Sequence, residues 1–186
     1  GVAVSFFGDG AFNQGMTMEA MNFASIYRLP VLFVLEDNTY AESTSSSWSI
    51  GGGNPVRRAA AFGIDAEKVD GRDFFAVSAA AGEAIGAIRA GHGPRFMHVR
   101  CLRYYGHFEG DATTYRPRDE VRNERRYRDP LNIFRARVVQ GDLLSDTDLD
   151  GIDEEVATLI DEAVAEARQA PAPALSPLPT DVYVTY

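Results

Sequence analysis

Val2 to Phe7 is a short, continuously apolar run bounded by glycine, which predicts a strand buried on both faces. Met16, Ala20, Phe23, Ala24 and Tyr27 then recur at helical spacing, and Leu29-Pro30 stops that helix. Val31 to Leu35 reads as a second buried strand, and Ala41 to Asn54, rich in serine and glycine, as a long mobile loop. A short helix through Arg57 to Phe62 and a strand near Ile64 to Val69 follow. Asp73 is placed to cap a helix over Phe74 to Ala90, and Arg95 to Leu102 is another strand. Strands alternating with helices predict an α/β fold with a doubly wound, mostly parallel sheet. Ligands of such sheets bind beyond the carboxyl ends of the strands.

After Arg103 the pattern changes. Tyr104 to Arg118 is irregular, aromatic and polar, while Asp119 to Tyr127 and Leu131 to Val139 suggest short helices. Ser145 to Arg168 predicts a long amphipathic helix, with Leu149, Ile152, Val156, Leu159, Ile160 and Ala163 on one face. Its acids crowd the first turns, where the helix dipole favours them. Ala170 to Pro179 reads as a Pro/Ala linker and Asp181 to Tyr186 as an extended tail. The expected organisation is an α/β domain over residues 1–118 and a helical C-terminal extension over 119–186. The first residues read as a strand already under way, so the chain is expected to be the C-terminal portion of something longer.

The formal charge of -9 argues against nucleic acid and against an anionic membrane face, both of which demand basic clusters. No apolar stretch approaches the roughly 20 residues of a membrane span. A single cysteine, Cys101, rules out a disulfide framework within the chain and fits a reducing cytoplasm.

Candidate chemistry gathers at two strand ends: Gly8-Asp9-Gly10-Ala11-Phe12-Asn13-Gln14-Gly15 after the first and Asp37-Asn38-Thr39-Tyr40 after the second. Glycines at a strand-to-helix turn let backbone N–H groups approach phosphate oxygens, and the following helix N-terminus adds a favourable dipole. Asp9 would repel a bare diphosphate, and that repulsion becomes attraction when a divalent cation stands between them. Magnesium takes oxygen ligands from one or two carboxylates, phosphate and water. Asp9, the amide oxygen of Asn38 and a backbone carbonyl two residues later suit it. The rival is a dinucleotide site, with Gly8-x-Gly10 on pyrophosphate and Glu36 or Asp37 on ribose. Its third glycine position, however, holds Asn13.

Gly8-Asp9-Gly10 with the later Asp37-Asn38 resembles the thiamine-diphosphate signature. The longer string to Gly15, with Glu36-Asp37-Asn38-Thr39-Tyr40, resembles the alpha subunit of the decarboxylating component of 2-oxoacid dehydrogenase complexes. Arg103-Tyr104-Tyr105-Gly106-His107-Phe108-Glu109-Gly110-Asp111, followed by Tyr115-Arg116, matches that family's second landmark and is most similar to acetoin dehydrogenase alpha subunits. The resemblance implies a thiamine-diphosphate-binding fold. It implies magnesium on Asp9, Asn38 and the carbonyl of Tyr40, and diphosphate lined by Gly8, Gly10 and Ala11. It further implies that His107 lies near the diphosphate and helps pass a two-carbon unit to lipoamide. Acetoin is the first substrate expected, with pyruvate or a branched-chain 2-oxoacid as alternatives. The implied partners are a beta subunit in an α2β2 heterotetramer, a lipoyl-bearing acyltransferase and the N-terminal half of the alpha subunit. Asp37 departs from the family's first Asn, and a carboxylate turned inward there would alter metal affinity. Phe108, where some relatives carry a phosphorylated Ser, removes that control.

Other features have plainer readings. His98, on an apolar strand, is expected to be a core histidine with a backbone partner, and His92 an exposed turn residue. Asp146-x-Asp148-x-Asp150-Gly151 copies the start of a calcium loop but places Ala157 where a Glu is needed, so Ser145 with Asp148 is read as a helix cap. Two other classes stay open: a non-catalytic cofactor-holding fragment and a nicotinamide-dependent oxidoreductase.

Overall fold

A computed structural model describes residues 1–176. Its elements are β1 (Ala3–Gly8), α1 (Gly15–Ile26), β2 (Val31–Asp37), β3 (Tyr40–Ala41), β4 (Thr44–Ser45), α2 (Ser46–Ser49), α3 (Pro55–Ala60), β5 (Asp65–Asp70), α4 (Phe74–Arg89) and β6 (Arg95–Arg100), then α5 (Glu120–Arg128), α6 (Pro130–Gln140) and α7 (Asp146–Gln169). The chain divides into two compact units, Gly1–Arg137 and a second that begins at Val138.

In the first unit β1, β2, β6 and β5 form a parallel sheet in that order. Alternate residues of the strands face opposite sides, so one set of side chains meets α1 and α3 and the other meets α4. Phe33, Leu35 and Phe96 pack with Met21 and Ala24 of α1, Ala59 of α3, and Phe12. Leu32, Val34, Val69 and Met97 pack with Ala80, Ala84 and Ile88 of α4. Helices on both faces of a parallel sheet make this the doubly wound α/β fold that the alternation implies.

Side-chain caps fix the start of several helices. Asp73 accepts the N–H groups of Phe75 and Ala76 at the head of α4, and Asn54 accepts that of Arg57 ahead of Pro55. In the second unit Ser145 and Asp148 form a reciprocal capping box that opens α7. The expected tail from Asp181 lies outside the described residues.

Two expectations need correction. β1 is not buried on both faces: Val4 is 43% and Phe6 65% exposed, because β1 sits at the end of the described sheet and pairs there with β2. Residues 41–54 are not a featureless loop. Tyr40–Ala41 and Thr44–Ser45 pair as an antiparallel hairpin, and Ser46–Ser49 makes one helical turn. Serine and glycine signal a break in the main ladder and do not reveal such local pairing.

Candidate functional site

Parallel pairing puts the two motif segments side by side. Gly8, the last residue of β1, is in register with Glu36 of β2, so Asp9 and Asn38 leave neighbouring strands at the same edge of the sheet. Gly10 then packs against the hairpin. A Cβ there would stand 2.8 Å from the Cβ of Ala41, a contact only glycine permits. The 3₁₀ turn Ala11–Asn13 leads into α1, with Thr17 Oγ1 donating to the Ala11 carbonyl at 2.7 Å.

Asp9 is 1% exposed, and its Oδ2 has no hydrogen-bond partner. Burial holds its carboxyl above the usual carboxylate range; the charge of Asp37 adds to this, and Arg103 and Arg100 oppose it. An orphaned buried carboxylate oxygen at a glycine-lined strand end is chemically suited to a cation. Asn38 Oδ1 accepts the N–H of Tyr40 at 3.1 Å, an Asx turn that keeps one lone pair of the amide oxygen in use. The Tyr40 carbonyl accepts a long 3.4 Å bond from Arg103 Nη1. Among the described residues no three His, Cys, Asp or Glu side chains cluster to hold a metal. The donor set expected here is of another kind, with one carboxylate, one amide and one main-chain oxygen.

His107 lies on the other landmark. Its side chain is exposed, and its backbone N–H donates to Asp111 Oδ2 at 2.8 Å. Asp111 also accepts from Tyr115 Oη (2.6 Å) and the Thr113 N–H (2.9 Å). Those bonds, Tyr115 foremost, hold its carboxyl down at about 2. Arg116 ties the same loop by donating to the carbonyls of Arg103, Tyr104 and Tyr105. Arg103 joins that loop to the hairpin through the Glu42 carbonyl at 2.8 Å. Asp9, Asn38 and Tyr40 thus share one sheet edge, whereas the His107 imidazole makes no hydrogen bond among the described residues.

A family model described as "Dehydrogenase E1 component" matches residues 1–176. The chain belongs to the dehydrogenase E1 component family. It is 49% identical, over all of its length and 56% of the relative's, to the alpha subunit of acetoin:2,6-dichlorophenolindophenol oxidoreductase of Cupriavidus necator. The alpha subunit of the same name from Bacillus subtilis is 42% identical, over 100% of this chain and 55% of that one. The pyruvate dehydrogenase E1 component subunit alpha of Rhizobium meliloti is 38% identical, over 97% of this chain and 52% of that one. The chain therefore spans about half the length of these relatives.

Within this E1 chain, sequence reasoning did not find the partners of Asp37. His98 is a core histidine as expected, but its partner is a side chain: Nε2 stands 2.8 Å from Asp37 Oδ2. Arg100 Nη1 reaches the same oxygen at 2.7 Å. The signal was present in Phe96, His98 and Arg100, one face of a strand whose later members turn polar beside an acid. Burial pushes the Asp37 carboxyl up, but bonds from His98 and Ser46, the charge of Arg100 and the Thr39 N–H overcome it and hold it far below the usual range. Cys101, next along, is pushed up to about 11, mainly by burial, and so remains a thiol.

Proposed function

We propose that this chain is the diphosphate-and-cation half of a thiamine-diphosphate-dependent dehydrogenase alpha subunit, acting on acetoin. The observation that carries this is Asp9, a buried carboxylate with an unpartnered oxygen between two glycines at a parallel strand end. Asp9, Asn38 and the Tyr40 carbonyl, which has a second lone pair beyond the one facing Arg103, would hold magnesium. Backbone groups of Gly8, Gly10 and Ala11 would face the diphosphate, helped by the N-terminus of the following helix. When bound, thiamine diphosphate supplies a thiazolium that serves as an electron sink; the protein supplies placement and electrostatics. His107 would take up or release a proton at an imidazole nitrogen while the two-carbon unit passes to its acceptor. A beta subunit and a lipoyl-bearing acyltransferase would complete the machinery.

Acetoin is favoured by the identity to the Cupriavidus necator subunit and by the Gly106-His107-Phe108-Glu109-Gly110-Asp111 wording. Pyruvate is the second reading, supported by the Rhizobium meliloti relative. Of the two acids that a nicotinamide site could use for a ribose, Asp37 already accepts hydrogen bonds on both oxygens, which leaves that reading only the exposed Glu36. Calorimetric titration with thiamine diphosphate tests the proposal. Binding is expected with magnesium and lost on its removal or in Asp9→Ala; binding indifferent to both changes contradicts it.

A further inference from the structure

We propose that Asp37, His98 and Arg100 form a positioning cluster that fixes the Asn38–Tyr40 turn for cation binding; this rests on the functional reading above.

Asp37 ends β2 one residue before Asn38, and it is 1% exposed. A carboxylate so deeply buried is tolerated only when its lone pairs are taken by good donors. Here Oδ2 accepts from His98 Nε2 and Arg100 Nη1, both on β6, and Oδ1 accepts the Thr39 N–H at 3.1 Å. The sheet register makes this geometry available. Asp37 is paired with Arg100 and Leu35 with His98, so all four project from one face. The carboxylate therefore bridges a rigid central strand to the first residue after the turn begins.

That residue is under strain. Thr39 has φ of +81°, a left-handed conformation that β-branched side chains resist. Such a conformation persists when its surroundings over-determine it. Two bonds do so: Asp37 Oδ1 holds the Thr39 N–H, and the Thr39 carbonyl accepts the Ser46 N–H at 2.8 Å. The reversal at Thr39 brings the Tyr40 N–H to Asn38 Oδ1 and orients the Tyr40 carbonyl. Asp37 thus does not itself offer an oxygen to a cation; it locks the residues that do. Its charge, balanced locally by Arg100, also lies close enough to Asp9 to add to the negative field there.

The test is manganese affinity in the presence of thiamine diphosphate, read by electron paramagnetic resonance on the full chain, beside metal-free thermal melts. Asp37→Asn and His98→Leu are each expected to weaken manganese binding about tenfold or more, the scale at which partners behind a metal ligand act. His98→Gln keeps an N–H that reaches Asp37 and is expected to restore affinity, a rescue that mere core filling does not give. Should Asp37→Asn fail to fold, Arg100→Met against Arg100→Lys makes the same comparison from the more exposed end of the cluster. Wild-type affinity in Asp37→Asn and His98→Leu, or in Arg100→Met, overturns this inference alone. Absence of manganese-dependent binding in the unaltered chain overturns the functional reading, and this inference with it.

Discussion

At Asp9, burial and an unpartnered oxygen work against folding, while at Asp37, next to the proposed ligand Asn38, equal burial is compensated. The two acids therefore carry opposite pH signatures. Asp9 has a raised folded pKa, so the native state holds its proton more tightly than the unfolded chain does. Its contribution to stability is lost as pH rises from about 4, the unfolded value, through the raised one. At neutral pH the full cost remains in the metal-free protein. Asp9→Asn, which removes the buried charge and keeps the side chain's shape, is thus expected to stabilise the metal-free chain at pH 7. The same substitution should abolish stabilisation by magnesium with thiamine diphosphate. Urea denaturation with and without both ligands reads both effects; a destabilised metal-free Asp9→Asn chain contradicts the assignment. Asp37 has a lowered folded pKa, so it stabilises above about pH 4 and loses that contribution as pH falls toward its folded value. Asp37→Asn should accordingly cost stability at pH 7 and progressively less in acid.

The loop over residues 103–116 depends on one acid. Asp111 gathers the His107 and Thr113 N–H groups and the Tyr115 hydroxyl, and Gly106 fits because a Cβ there would lie 2.6 Å from the Asp111 Cβ. Asp111→Ala is expected to speed amide exchange at His107 and Thr113 while that of β2 and β6 is unchanged. Equal protection at His107 in both proteins would falsify this account of the loop. In the wild type the same loosening should set in as pH falls from about 4 toward about 2, where Asp111 takes its proton. In α7, Ser145→Ala removes the cap shared with Asp148 and should lower helix stability by about 1 kcal/mol, read as lost circular dichroism on mild heating. Elements of this kind were legible because their causes are local: short apolar runs for β2 and β6, a glycine-flanked acid at a strand end, a Ser-x-x-Asp cap. The Asp37 cluster was not, since its donors come from β6, which follows β5 in the chain yet lies beside β2 in the sheet. Nothing in the residues around position 37 announces which strand will be its neighbour. Exposure of β1 escaped notice for the same reason, as an apolar run does not say how many strands flank it.

For the molecule as a whole, the proposed function would share its chemistry with partner subunits. In the proposed site Asp9, Asn38 and the Tyr40 carbonyl would hold the cation, and His107 stands exposed on a tethered loop. By the family resemblance, the glutamate that activates the cofactor's aminopyrimidine comes from a beta subunit. The chain alone is therefore expected to bind thiamine diphosphate with magnesium yet fail to reduce 2,6-dichlorophenolindophenol with acetoin. Addition of a beta subunit, together with the remaining alpha portion that the longer relatives carry, should bring turnover. Because binding and turnover are read separately, the two halves of the proposal can fail independently. Dye reduction by the purified chain alone would show that it carries its own activating acid. In that event Glu42 and Glu109, exposed acids on the hairpin and on the His107 loop, become the groups to mutate first. With the assembly in hand, His107→Ala should lower turnover by about 100-fold or more while leaving calorimetric cofactor affinity within a few-fold, as removal of a positioned proton carrier does. A matching fall in affinity would instead make His107 a binding residue, and the imidazole's role in proton transfer would have to pass to another group.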